Sequence, residues 1–463
     1  MASPLFRDST SVIVGDPLPR SVCSVHDEMG PQSWLPIPPT SPFSLANIPF
    51  GIVTTPLGSR PVPAIAIGDH VLDLAAFASG GGFDHLDTIQ QHLFVFTETT
   101  LNAFAGLGRP VHRQVRKYLQ DVFRQDTTYG HVLRDNADLS RKCLFPLKET
   151  QSHMPLRIGD FSDFYGGLNH AVNAGALFRG QNGALLPNYL HLPMAYHGRA
   201  SSIVPSGTPI QRPCGQVVHD LNATPKAPVF TACQSMDFEL ELGAFVCHEN
   251  PMGQRISIDD AENALFGFVL VNDWSARDIQ RWEYVPLGPF NGKNFATSIS
   301  PWVVLADALE PFRCKGLENK EQLLPYLVEK RSDTVYNLHL EVDLTNPKTG
   351  VTSTLCRTNA AEGLVWSFTQ MLAHHTITGC PMKVGDLLGS GTISGLTKDS
   401  LGCLLEQTLN GKEGIKLDDG EQRTWLQDGD IVTLRGWAGD SNSGLVGFGE
   451  CVGQLLPADK ASG

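Results

Sequence analysis

The stretch Met236-Asp-Phe-Glu-Leu-Glu-Leu-Gly-Ala-Phe-Val246 decides how the rest of the chain is read. Phe238, Leu240 and Leu242 alternate with Glu239 and Glu241, so an extended segment puts the apolar side chains on one face and both carboxylates on the other. At a rise of about 3.3 Å per residue, the two glutamate Cα atoms stand roughly 7 Å apart and point the same way. No Lys or Arg lies between Lys226 and Arg255 to neutralise them locally. The pair is therefore either a solvated strand face or half of a site that needs concentrated negative charge.

Working outward, the 463 residues exceed what one ordinary core holds, so two domains are expected. Forty-five glycines and 31 prolines favour a β-rich, loop-rich architecture over a helical bundle. A formal net charge of −13 argues against a general nucleic-acid binder, whose affinity rests on Lys and Arg. No apolar run reaches the roughly 20 residues that span a bilayer, which argues against a membrane partner. The ten cysteines form no CxxC pair, and Met1–Gly30 is interrupted by Asp8, Asp16, Asp27 and Glu28, unlike a secretory leader. The expectation is a cytoplasmic protein with reduced thiols.

Residues 1–33 read as an N-terminal extension, poorly ordered at its start, and the Pro/Ser-rich run 31–45 as a linker or arm. Residues 34–154 read as a small β domain with helices attached: Val62–Leu74 forms a hairpin around Gly68-Asp69, and Val115–Phe123 has helical spacing. Residues 155–463 read as one large β-rich domain. Within it Phe266–Asn272 is continuously apolar, as in a strand buried on both faces, and ends at Asp273. Asp273 either caps the helix that follows or belongs to a site. On that helix Arg277, Gln280 and Tyr284 are spaced i, i+3, i+7 and share a face, which is a polar surface or an anion pocket. Asp163 lies in a turn-like run ahead of a short helix bearing His170, where an Asp is usually a turn residue or a cap.

Lys293 follows a Gly/Pro-shaped loop that lacks the spacing of a phosphate loop. Gly389–Gly395 likewise matches neither a nucleophile elbow nor a dinucleotide fingerprint. Nucleotide binding and serine hydrolysis lose support. Asp163, Glu239, Glu241 and Asp273 offer hard oxygen donors with no Cys or His at metal-site spacing. If they converge, Ca²⁺ or Mg²⁺ is expected instead of zinc.

These motifs, in this order, resemble the fumarylacetoacetate hydrolase family. The likeness runs through Asp163-Phe-Tyr165, His170, Phe178-Arg179, Leu190–Ser202, Glu239-Leu-Glu241, Asn272–Gln280, Trp282–Phe290, Gly292-Lys293 and Gly385–Gly395. It implies a β-rich α+β protein with a small N-terminal SH3-like β-barrel domain and a large C-terminal mixed β-roll domain, working as a homodimer. The implied reaction is metal-dependent hydrolysis of the carbon–carbon bond of a 1,3-diketo acid, 4-fumarylacetoacetate, to fumarate and acetoacetate, the last step of tyrosine and phenylalanine catabolism.

Carried over by motif, Asp163, Glu239, Glu241 and Asp273 are the implied Ca²⁺ ligands, and Asp273, Lys293 and Thr297 surround a second, Mg²⁺ site. An ammonium cannot coordinate a cation, so Lys293 would take part there through its backbone carbonyl. His170 is the implied general base on water, oriented by Glu406. Arg277, Gln280 and Lys293 are implied to stabilise the oxyanion and leaving enolate. Tyr165, Arg179, Tyr284 and Thr392, with Tyr196, are implied to hold substrate carboxylates and carbonyls. The alternative is another 1,3-dicarbonyl hydrolase or decarboxylase of the acylpyruvate type on the same scaffold.

Overall fold

The structure is a computed structural model, and it describes residues 32–220 and 222–459. The expectation of a poorly ordered start lies outside those residues. Strands β1 (Phe50–Thr55), β2 (Gly58–Ile67), β3 (His70–Asp73), β4 (Leu144–Pro146) and β5 (Gln151–His153) form an antiparallel sheet in the order β4-β3-β2-β1-β5. The β2–β3 hairpin turns at Gly68, whose φ of 55° is open to glycine at no steric cost. Helix α1 (Arg109–Phe123) buries Val115, Leu119, Val122 and Phe123 on one stripe, in the core that also holds Ile52, Ile65 and Leu72 of this sheet. The Pro/Ser-rich run is not a free linker. Leu35, Phe43 and Leu45 are buried, and the Gly447 amide donates to the Pro42 carbonyl at 2.9 Å, tying the run to the C-terminal strands.

The site rests on an eight-stranded mixed sheet. Its path is built from β6 (Phe161–Phe164), β7 (Ala195–Gly198), β8 (Ile203–Pro205), β9 (Leu240–Val246), β10 (Leu265–Asn272), β11 (Thr297–Ile299) and β12 (Leu387–Gly389). They lie in the order β7-β6-β12-β9-β10-β11-β8, with Val304–Leu305 also pairing β10. A second, five-stranded sheet (352–359, 339–345, 431–438, 446–456, 210–211) packs nearby.

The expectation of one apolar face for Met236–Val246 is corrected. Strand β9 starts at Leu240 and every residue in it is buried. Leu240, Leu242 and Ala244 join the core shared with the second sheet, whereas Phe245 joins the core shared with the N-terminal domain. Both faces are covered, so the glutamate parity never meets bulk water. Strand β10 is buried throughout, as its continuous apolar run predicts.

Helix α2 (Leu168–Arg179) follows β6 through Gly166-Gly167. A Cβ at Gly167 would meet the Thr392 carbonyl oxygen at 2.1 Å, so only glycine lets these chains approach. Helices α3 (Arg277–Glu283) and α4 (Leu404–Gln407) complete the surroundings of the site.

Candidate active site

Register assembles the site. Antiparallel pairing sets Leu240 opposite Asn272, which places Glu239, just before β9, beside Asp273, just after β10. Parallel pairing sets Gly389 beside Asp163, and Gly389 in turn opposes Gly243, two residues beyond Glu241. Strands β9 and β10, and β6 across Gly389 of β12, thus deliver their carboxylates to one spot.

Asp163 is neither a turn residue nor a cap: it sits inside β6, 4 % exposed. Asp273 caps nothing either, since Ala276 precedes α3 without a side-chain cap. Its carboxylate instead accepts from the Thr297 hydroxyl at 3.0 Å, the Tyr196 hydroxyl at 3.0 Å and the Lys293 ammonium.

Ligand oxygens of Asp163, Glu241 and Asp273 lie within 4.8 Å of one another, all buried. Asp163 Oδ1 and both Glu241 oxygens have no protein hydrogen-bond partner. A Cβ at position 389 would sit 2.5 Å from Asp163 Oδ1 and 3.2 Å from Glu241 Oε2, so glycine leaves the cradle open. Without a cation, burial and then the charge of Asp273 push the Asp163 carboxyl up to about 8. Burial and then Asp163 push Glu241 well above its usual range. Unpartnered buried carboxylates cost on the order of several kcal/mol each, and a bound divalent cation removes that cost. The nest fits a hard cation.

Glu239 is treated differently. The Arg277 guanidinium donates to its Oε1 at 2.7 Å and the Lys293 ammonium to its Oε2. Although burial opposes it, these cations hold Glu239 far below the carboxylate range. The local absence of Lys and Arg is therefore made good from residues 38 and 54 positions away. Lys293 spends two of its three N–H donors on Glu239 and Asp273.

On the far side of Glu239 stands the imidazole of His170. Its Nε2 lies 3.9 Å from Glu239 Oε1, and its Nδ1 lies 2.6 Å from Glu406 Oε2. Glu406 is 2 % exposed and also accepts from Ser394 Oγ at 2.8 Å, Cys403 Sγ at 3.1 Å and Asn173 Nδ2 at 2.8 Å. Burial would raise this carboxyl, but the imidazole and these donors hold it below its usual range. An ionised Glu406 only accepts, so the tautomer that fits this bond has its proton on Nδ1 and its lone pair on Nε2. His170, Cys403 and Glu406 also form a group with metal-ligand atoms, but the short Nδ1–Oε2 contact identifies a hydrogen bond, with no room for an ion between them.

A cavity of about 450 Å³ collects twelve of the fifteen residues singled out from sequence: Asp163, Tyr165, His170, Arg179, Tyr196, Glu239, Glu241, Arg277, Gln280, Tyr284, Lys293 and Thr392. Glu406, Asp273 and Thr297 stand behind this lining, each bonded to residues in or beside it. Tyr165 stacks edge-on against His170 at 5.5 Å between ring centroids. Gln280 receives a bond from Arg277 Nη1 at 3.3 Å. Tyr284, just past the end of α3, is 38 % exposed at the mouth. Arg179 bonds the carbonyls of Gly183 and Ala184 at 2.9 and 2.8 Å, in the turn that follows its own helix.

Sequence reasoning passed over Asp237, Ser394, Asn173 and Cys403. For Asp237 a signal was available: its parity is that of Glu239 and Glu241, which places three acids on one side of the stretch.

The chain is similar in sequence to known proteins along nearly its whole length. Residues 161–455 match the model of the fumarylacetoacetate hydrolase C-terminal domain, and residues 46–155 match that of the fumarylacetoacetase N-terminal domain. A fumarylacetoacetase of Aspergillus fumigatus is 60 % identical over 430 residues, covering 92 % of this chain and 99 % of that one. Fumarylacetoacetases of Arabidopsis thaliana and Homo sapiens are 45 % and 43 % identical, again over 92 % of this chain and 99 % of theirs. With both domain models matched in sequence order and identity sustained over nearly the whole chain, this protein belongs to the fumarylacetoacetate hydrolase family.

Proposed function

We propose that this chain hydrolyses the carbon–carbon bond of 4-fumarylacetoacetate to fumarate and acetoacetate. The observation that carries the reading is the buried His170–Glu406 pair, with Nε2 presented to a cavity that also holds a carboxylate nest and two cations. His170 Nε2 takes a proton from water as the water oxygen bonds to the ketone carbon. Glu406 stabilises the imidazolium so formed and fixes its orientation. The uncommitted N–H of Lys293, with Arg277 and Gln280, stabilises the oxyanion. The carbon–carbon bond then breaks, its electron pair leaving on the acetoacetate fragment as an enolate. The imidazolium returns the proton to that carbon. Asp163, Glu241, Asp273 and the adjoining Glu239 would hold a divalent cation, which supplies Lewis-acid polarisation of the diketone when bound. Tyr165, Arg179, Tyr196, Tyr284 and Thr392 would position the carboxylates and carbonyls of the substrate.

Calcium suits a nest of carboxylates better than magnesium, because it accepts many oxygen donors in irregular geometry. A second ion, Mg²⁺, would use Asp273, Thr297 and the Lys293 carbonyl. The antiparallel five-stranded N-terminal sheet supports an SH3-like domain over 34–154, and the eight-stranded sheet with the second five-stranded one supports a β-roll domain over 155–463. Exposed Phe230, Leu287 and Phe290 offer apolar surface for a second copy in a homodimer, and a monomer mass by light scattering would overturn that. Nine free cysteines among the described residues suit a cytoplasmic location.

The test is loss of the ultraviolet absorbance of fumarylacetoacetate, followed with chelator and then with added Ca²⁺. Turnover is expected to stop with chelator and return with Ca²⁺. No turnover of this substrate at saturating Ca²⁺, with turnover of an acylpyruvate, would overturn the reading.

A further inference from the structure

Asp237 is fully buried and lies at the junction of the two working halves of the cavity without lining it. Its Oδ2 accepts from Arg277 Nε at 2.9 Å and from the Leu405 amide at 2.9 Å. Its Oδ1 accepts from the Leu404 amide at 2.7 Å and from the Phe238 amide at 2.9 Å. Leu404 and Leu405 open α4, whose third residue is Glu406, and Cys403 before them gives the helix no side-chain cap. The first amides of a helix have no partner within it. Here a carboxylate 167 and 168 residues away supplies it. That carboxylate also grips the guanidinium that binds Glu239.

We infer that Asp237 is a positioning residue that locks the Arg277–Glu239 pole to the His170–Glu406 pair, setting the distance between the oxyanion-binding donors and the base. Only a side chain with two equivalent acceptor oxygens serves all four donors. An asparagine at 237 would aim its NH₂ at two of them whichever way it turned. Arg277 without this anchor keeps its bond to Glu239 but loses the one that fixes its Nε edge. Helix α4 without it loses the acceptor that ties its Leu404 and Leu405 amides to the Arg277 side of the site.

The role rests on the hydrolase reading for its kinetic consequence, but its structural consequence is measurable without substrate. In Asp237→Asn, kcat is expected to fall about 10- to 100-fold with KM within about threefold, because binding groups stay and only transition-state alignment is lost. Calcium affinity by titration calorimetry is expected to stay within about threefold of wild type. In a double-mutant cycle with Arg277→Lys, the two losses are expected to be strongly non-additive, since both break one connection. Simple additivity overturns the coupling. So does a rate loss fully accounted for by the unfolded fraction.

An independent readout needs no Asp237 variant. Arg277→Gln is expected to speed hydrogen exchange of the Leu404 and Leu405 amides at least severalfold, by freeing the carboxylate that holds them. Unchanged exchange there overturns the inference even if Asp237→Asn fails to fold. If wild-type protein shows no hydrolysis while this exchange effect appears, the hydrolase reading fails and the Asp237 linkage stands.

Discussion

Glu239 and Glu241 leave the same segment, two residues apart, and enter regions of opposite electrostatics. Around Glu239, two cations and an imidazole converge, and every carboxylate oxygen is engaged. Around Glu241, two further acids converge, and neither oxygen has a protein partner. One region is charge-balanced by the chain itself, whereas the other is left for a cation to balance. Burial is nearly the same in both, so solvent does not explain the contrast; the strands they face do. The proposed reaction draws on both: a preset field where charge moves, and an open nest where a ligand would add charge.

Breaking the balanced region at its moving proton gives the largest effect. His170→Ala is expected to cut kcat by about 10²–10⁴-fold, the usual contribution of a positioned base. Calcium affinity by titration calorimetry is expected to survive, because His170 lies outside the nest. Lost affinity would place the imidazole among the ligands and remove it from the base role.

Next comes the contrast itself. Glu239→Gln and Glu241→Gln are both expected to weaken cation binding, the second by the larger factor, about 10- to 100-fold. Glu241 offers two free oxygens, whereas those of Glu239 are shared with Arg277 and Lys293. Equal losses by calorimetry would show that a bound cation draws Glu239 away from its cations.

The unbalanced region also predicts a pH dependence of stability in chelator. Asp163 has a usual pKa of 3.8 and is pushed up to about 8 in the fold, so the folded state binds more protons than the unfolded state between those values. Stability then falls as pH rises through that window, the reverse of an ion-paired acid. Thermal unfolding from pH 6 to 8 is expected to show Tm decreasing with pH in chelator and the slope flattening with Ca²⁺. A flat profile in chelator would mean that the nest finds its neutralising charge within the protein.

Part of this was readable from residues alone. Alternation put the two glutamates on one side, the apolar run to Asn272 marked a fully buried strand, and the family motifs pointed to the remaining members. What local pattern did not carry is where each partner comes from. Asp163 looked like a turn residue because Gly159, Gly166 and Gly167 crowd around it, yet sheet pairing to Gly389 draws it into β6. Asp237 drew no reading at all, because its partners lie 40 and 167 residues away. Alternation fixes which side chains share a face; only tertiary pairing fixes what that face meets.

Arg179 tests how far the balanced region extends and carries the smallest expected effect. It lines the cavity and has the charge to hold a substrate carboxylate. Yet its Nε and one Nη already bond the Gly183 and Ala184 carbonyls, where a cation also meets the negative end of α2. With those donors spent on carbonyls, a substrate carboxylate would meet the guanidinium only through its Nη1–Nη2 edge, and the same positive charge would already be shared with two backbone dipoles. Arg179→Ala is therefore expected to raise KM by less than about tenfold and leave kcat within about twofold in steady-state assays. A 100-fold fall in kcat would mean that Arg179 releases its carbonyls and turns inward during turnover. It would then count with Arg277 and Lys293 as a group meeting the developing charge, and the balanced region would reach the mouth of the cavity.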